Sequence, residues 1–226
     1  MTDSTPTVFV VDDDPSVRRA LGRLLKTAGF AVEAFASAEA FLDRPPPDGP
    51  ACLVLDVSMP GLNGLEAQRA LIERNAGIPI VFVTGHGDIP MTVRAMRAGA
   101  TDFLPKPCHG PDFVAAVRRA IALHTQARQT RSQSAGLRGR AEALTPRERE
   151  VMWLVVTGML NKQTGHRLGV TEKTIKVHRA RVMHKMGADS LAELVRMAEQ
   201  LRAESAPSDA TAERPPAPAA ACPAVG

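Results

Sequence analysis

At 226 residues, 44% of them apolar and 23% charged, the chain is long enough for two modest cores and too balanced for a fibrous or wholly disordered protein. No apolar run approaches the roughly eighteen residues a membrane helix needs, and the opening MTDSTPTVFVVDDD carries no basic-then-apolar secretory signal, so a cytoplasmic protein without a membrane span is expected. The net charge of +4 is uneven: residues 1–126 hold 12 Lys and Arg against 14 Asp and Glu, whereas residues 127–203 hold 15 against 7, which makes the second half a candidate for nucleic acid.

Short β-rich runs at 8–12, 31–35, 52–56, 80–84 and 102–105 alternate with helical patterns at 16–28, 38–43, 65–75, 91–98 and 113–123. Parallel strands need crossover helices, so this alternation predicts a doubly wound α/β domain over 5–125 with a five-stranded parallel sheet. Such domains gather their functional groups at the carboxyl ends of the strands. Asp12, Asp13 and Asp14 follow the first run and Asp56 ends the third. Brought to one sheet edge, these carboxylates repel unless a cation sits among them, and an oxygen-only set suits Mg²⁺. The plainer reading of DDDP is a helix start, with Asp14 as the cap before Pro15.

Thr84 ends the fourth run and Lys106 follows the fifth, so a hydroxyl and an ammonium face the same cluster. A carboxylate nucleophile, a metal, a hydroxyl and a lysine are the parts of an aspartyl-phosphate site, with Asp56 as the attacking group. By spacing alone Phe103 reads as core, and Cys52 as packing in a buried strand. Gly85-His86-Gly87 lacks the spacing of a phosphate loop and reads as a flexible turn. Cys52, Cys108 and Cys222 have no metal-like spacing, which suits free thiols.

Residues 126–142 lose hydrophobic periodicity and read as a hydrated linker, whose start continues the preceding helix in one reading. From 143 to 202 only helical patterns occur, predicting a small all-α four-helix domain. Thr145-Pro146-Arg147-Glu148 is a capping-box start, Gly158 a stop, 161–168 a short helix, Gly169 a turn, and Thr171 the cap of a longer basic helix reaching Met186. That order is the helix-turn-helix plan. On the longer helix Ile175, Val182 and Met186 share an inward face, leaving Lys173, Lys176, Val177, Ala180 and Arg181 outward; a solvated basic face fits the same pattern. The tail 203–226, rich in Ala and Pro, is expected to be disordered.

The segments VVDDDPSVR, VLDVSMPGLNGLE and VFVTGHGDIPMTVRAMRAGATDFLPKP resemble the flavodoxin-like receiver domains of two-component response regulators, with wording similar to the FixJ subgroup of the NarL/FixJ family. LTPREREV and NKQTGHRLGVTEKTIKVHRARVMHKM resemble the LuxR-type DNA-binding domain. The first resemblance implies that a sensor histidine kinase phosphorylates Asp56, that Asp12, Asp13, Asp56 and the Ser58 carbonyl hold Mg²⁺, and that Thr84 and Lys106 bind the phosphoryl oxygens. It also implies that Phe103 is an aromatic switch and that Lys106-Pro107 is cis. The second implies base reading by Lys176, Val177 and Ala180 and phosphate contacts from Lys173, Thr174, His178, Arg179 and Lys185, with His178 equally readable as packing. Thr164-Gly165 stands where an Ile-Ala pair is common, and Gly is expected to weaken that helix by about 1 kcal/mol relative to Ala.

Together the resemblances imply a transcription factor rather than an enzyme. Phosphorylation would promote homodimerisation through the fourth helix and fifth strand, DNA binding and, with RNA polymerase, activation. A stand-alone phosphotransfer enzyme is the alternative for the acidic pocket, but a second nucleophile and a general-base His are missing from the strand ends. A module binding an acidic protein is the alternative for the basic domain.

Overall fold

The computed structural model describes residues 5–85 and 89–205. His86 and most of the 203–226 tail therefore lie outside the described residues. The chain divides into two compact units, Met1–Ser132 and Gln133–Gly226.

In the first unit β1 (Thr7–Val11), β2 (Ala31–Phe35), β3 (Ala51–Leu55), β4 (Ile80–Thr84) and β5 (Asp102–Pro105) form a parallel sheet in the order β2-β1-β3-β4-β5. The helices are α1 (Pro15–Thr27), α2 (Ala38–Leu42), α3 (Gly64–Glu73), α4 (Ile89–Arg97) and the start of α5 (Gly110–Glu142). All five residues of β3 and of β4 are buried, as strands covered on both faces must be.

The period-two alternation of side chains then divides the core. Phe9, Leu53, Leu55 and Phe82 pack with Phe41 of α2, Leu71 of α3 and Ala95 of α4. Val8, Val10, Cys52, Val54, Val81 and Val83 pack with Leu21 and Leu25 of α1 and with Phe113 and Val117 of α5. Strand order reverses between β1 and β3, and their register pairs Val11 with Leu55. The residues just beyond, Asp12 and Asp56, therefore leave the sheet side by side. β1 and β3 each end one residue earlier than expected, so both carboxylates follow the ladder instead of closing it.

The linker expectation is corrected. Residues 126–142 are helical, because α5 continues unbroken to Glu142. The stretch is polar on most sides, so periodicity does not mark it, but its Ala, Arg and Gln residues favour helix. Ser134 and Leu137 are nonetheless buried on it.

The second unit adds α6 (Pro146–Val156), α7 (Asn161–Leu168), α8 (Glu172–Met186) and α9 (Leu191–Ser205). Thr145 and Glu148 form the expected capping box, and Gly169, at φ 68°, makes the turn between α7 and α8. The tail begins later than expected, since α9 runs to Ser205. Among the described residues no helix is long and apolar enough to cross a membrane.

Candidate functional site

Asp12 and Asp56 are 2% and 6% exposed, and the amide of Asp56 donates to the Val11 carbonyl at 2.9 Å. Lys106 Nζ donates to Asp12 Oδ2 at 2.6 Å and to Asp56 Oδ2 at 2.7 Å, bridging the two strand ends. With Asp13, the three carboxylates place oxygens within 4.8 Å of one another. One ammonium against three carboxylates leaves two negative charges on an all-oxygen donor set, which suits a hard divalent cation such as Mg²⁺. Burial raises the Asp12 carboxyl above its usual range despite the opposing pull of Lys106. Burial by itself would lower the Lys106 ammonium, but its hydrogen bonds to Asp12 and Asp56 outweigh that and raise it.

The loops around the pocket are built from backbone contacts. Asp14 caps α1, its Oδ1 accepting from the Ser16 amide at 2.7 Å, as the helix-start reading of DDDP expects. Arg18, one turn into α1, donates to the carbonyls of Asp12 and Asp13 at 2.6 and 2.9 Å. Nothing in the spacing of the sequence singled out Arg18. Ser58 is exposed and its amide donates to Asp56 Oδ1 at 3.2 Å. Thr84 is 1% exposed at the end of β4, and its carbonyl accepts from the Lys106 amide at 2.8 Å. The Lys106-Pro107 peptide is cis, as the resemblance implies.

Phe103 is half-buried, its ring centroid 6.0 Å from that of Phe82. It packs on the core without being enclosed, which fits both readings of it. Nearby, α4 leaves Ile89, Val93 and Met96 exposed at 82%, 40% and 42%. Their spacing places them on one helix face.

In the second unit Ile175, Val182 and Met186 are buried, as expected for the inward face of α8. Lys173, Lys176, Val177 and Ala180 are exposed, and Lys176 pairs with Glu172 at 3.2 Å. Thr174 is half-buried beside the capping Thr171, their hydroxyls 2.9 Å apart. Arg179 donates to Asn161 Oδ1 at 3.2 Å, tying α8 to α7. His178 is half-buried with a buried Nδ1 that has no partner among the described residues, which favours packing over an outward contact.

Lys185 departs from its expected part. Its ammonium donates to Glu148 Oε2 at 2.6 Å and to the Ala143 carbonyl at 3.1 Å, so it is held by groups of its own domain instead of standing ready for a phosphate. Glu148, only 2% exposed, also accepts from the Thr145 amide at 2.9 Å. Lys185 and that amide hold its carboxyl down at about 2. A carboxyl lowered on folding contributes its stability in full above its ordinary value near 4.5 and loses it as the pH falls toward 2. Glu148→Gln is expected to cost about 2 kcal/mol at neutral pH, and to lose less stability than wild type between pH 5 and 2 in chemical-denaturation titrations. Parallel curves for the two proteins would contradict this.

Gly165 also reads differently in three dimensions. A Cβ there would stand 2.8 Å from the Val170 carbonyl, so the glycine permits the close return of the chain after α7, and Ala would not fit without a shift. Thr164 beside it is fully buried, and its hydroxyl has no partner among the described residues. Thr164→Val keeps the shape and removes the desolvated hydroxyl. A gain of about 1 kcal/mol is expected, read as a raised thermal midpoint, and a lowered midpoint would refute it.

The comparisons with known proteins agree with this geometry. Residues 8–118 match the response regulator receiver domain, and residues 142–198 match the bacterial regulatory proteins of the luxR family. Nodulation protein W of Bradyrhizobium diazoefficiens is 50% identical over 194 residues, 86% of either chain. The transcriptional regulatory protein FixJ of Azorhizobium caulinodans is 43% identical over 209 residues, 92% of this chain and 98% of that one. The solved structure of the response regulator StyR superposes with a TM-score of 0.82 at 48% identity, covering 87% of this chain and all of StyR. The chain is thus a member of the response regulators that control transcription, a receiver domain followed by a LuxR-family DNA-binding domain.

Proposed function

We propose that a sensor histidine kinase phosphorylates Asp56 and that this modification controls sequence-specific DNA binding by α8. The observation that carries the reading is the Lys106 ammonium joining Asp12 to Asp56 beside a third carboxylate, Asp13. An Asp56 oxygen attacks the phosphorus of the kinase phosphohistidine, and the phosphorus–nitrogen bond breaks as the phosphorus–oxygen bond forms. Lys106 and the Thr84 hydroxyl then hold phosphoryl oxygens. Asp12, Asp13, Asp56 and the Ser58 carbonyl would hold Mg²⁺, which supplies charge neutralisation on the transferring group.

Thr84 drawn toward the phosphoryl group vacates space beside β5, and Phe103, already half-buried there, rotates into it. The readout is the α4–β5 face, where exposed Ile89, Val93 and Met96 supply apolar area for a second copy. In the dimer, two tethered helix-turn-helix domains bind a two-fold operator with greater avidity than one. Lys176, Val177 and Ala180 read bases, while Lys173, Thr174 and Arg179 meet phosphates. The outcome at a promoter is activation through RNA polymerase.

Sequencing the DNA retained by the full chain, with and without a small phosphodonor, tests this. A two-fold motif is expected to be enriched only with the phosphodonor, and to vanish in Asp56→Asn and in Lys176→Ala or Val177→Ala. Identical DNA pools from phosphodonor-treated wild type and Asp56→Asn would sink the reading.

A further inference from the structure

Residues 58–63 lead from Asp56 and Val57 at the end of β3 into α3. The base of this loop is fixed from within: the Gly64 amide returns to the Val57 carbonyl, Asn63 and Glu66 form a capping box, and Met59 is buried. Its tip is held from outside. Pro60 and Gly61 are exposed, and the Leu62 amide donates to Glu39 Oε1 at 2.8 Å. A Cβ on Gly61 would stand 2.7 Å from the same oxygen, so the carboxylate lies directly against the loop backbone. Glu39 belongs to α2, 23 positions before Leu62, and is not one of the clustered carboxylates of the pocket.

α2 gives that carboxylate a firm support. Ser37 caps the helix, and Ala38 and Phe41 are buried. The Phe41 ring packs 5.4 Å from Phe9 and 5.6 Å from Phe35, so the helix stands on β1 and β2. At its far end the Arg74 guanidinium of the segment after α3 donates to the Leu42 carbonyl at 2.7 Å. The amides of Leu62 and of Glu39 itself and the Ser37 hydroxyl hold the Glu39 carboxyl below its ordinary range. Donors on both sides of the carboxylate, from the loop and from α2, fix one element against the other. A binding group already in place costs less to use than one that must first be ordered. We propose that Glu39 is a positioning residue of the acidic pocket, clamping the loop that carries Ser58 and thereby raising the pocket's affinity for Mg²⁺, an inference that rests on the Mg²⁺ and phosphoryl reading of that pocket.

The full chain and three variants are titrated with Mg²⁺ by calorimetry, and labelling of Asp56 by a small phosphodonor is followed over the same Mg²⁺ range. Glu39→Ala is expected to weaken Mg²⁺ binding about fivefold, the worth of one hydrogen bond, and to raise the Mg²⁺ concentration for half-maximal labelling by the same factor. Its labelling rate at saturating Mg²⁺ stays at the wild-type value, because Asp56, Thr84 and Lys106 are untouched. Glu39→Gln keeps an acceptor oxygen and recovers most of the affinity. Arg74→Ala loosens the other end of α2 and binds Mg²⁺ as wild type does. The proposal is overturned if Glu39→Ala keeps wild-type Mg²⁺ affinity, or if Glu39→Gln is as weak as Glu39→Ala, which would make the charge and not the clamp responsible. It is equally overturned if Arg74→Ala weakens Mg²⁺ to the same extent, since any loosening of α2 would then suffice. A wild type that binds no Mg²⁺ removes the proposal together with the metal site, whereas a wild type that binds Mg²⁺ without labelling refutes the phosphoacceptor reading and leaves the calorimetric comparison decisive.

Discussion

Lys106→Ala is expected to lower the stability of the receiver unit by about 3 kcal/mol and to slow labelling of Asp56 by a small phosphodonor about a hundredfold or more. Both effects come from one ammonium. It donates to Asp12 and Asp56, whose side chains are 3% and 7% exposed, so its removal leaves two nearly buried carboxylates facing each other with Asp13 alongside. Asp12 is already raised by burial, and without Lys106 it rises further. A divalent cation among the same oxygens would replace the lost charge. Mg²⁺ should therefore raise the urea midpoint of Lys106→Ala more than that of wild type, while, on the proposed role of Lys106, labelling stays slow because Mg²⁺ does not supply its donors to the phosphoryl group. An Mg²⁺ response equal in the two proteins would argue against a shared site.

Gly64→Ala is the second large effect. A Cβ at this first residue of α3 would stand 2.3 Å from the Asp56 carbonyl oxygen and 2.9 Å from the Val57 Cα, both backbone atoms with no rotamer to relieve them. The Gly64 amide also donates to the Val57 carbonyl at 2.9 Å, closing the loop that carries Ser58 back onto the strand end. Room for a methyl group comes only from moving the backbone of Asp56 and Val57. The expected cost is about 1–3 kcal/mol, with labelling of Asp56 falling about a hundredfold because an ångström of misplacement is enough to do so. Comparison with Gly136→Ala, where a Cβ meets nothing within 4 Å, separates this from a general effect of added side chains. Equal behaviour of the two variants in melting and labelling would contradict the steric account.

The strand ends were legible because they depend on local signals. Alternation and turn residues locate the strands, the crossover rule makes them parallel, and the paired ends of β1 and β3 then bring Asp12 to Asp56. The Thr145–Glu148 box and the inward face of α8 were legible for the same reason, since both lie within a few residues of sequence. What was not legible depends on atoms far apart in the chain. Lys185 reads as a surface cation until Glu148, 37 positions earlier, is seen to hold it. Gly165 reads as a weak helix residue until the Val170 carbonyl arrives against it. The helix over 126–142 lacks an apolar stripe strong enough to announce itself, and Arg18 acts on two carbonyls, groups every residue carries.

The alternating faces of β1, β3 and β4 work as a reading frame. Deleting or inserting one residue within β3 would exchange the side chains of the two cores, sending the partners of Phe41 toward Phe113 and the reverse. It would also turn the residue following the strand away from Lys106. Single-residue length changes are therefore excluded from these strands, and tolerance to them should be sought in the connections between elements. Among these, the proline-rich segment before β3 is held by Arg128 through the carbonyls of Pro47 and Asp48, so even there the tolerated changes should be those that leave these two carbonyls in place.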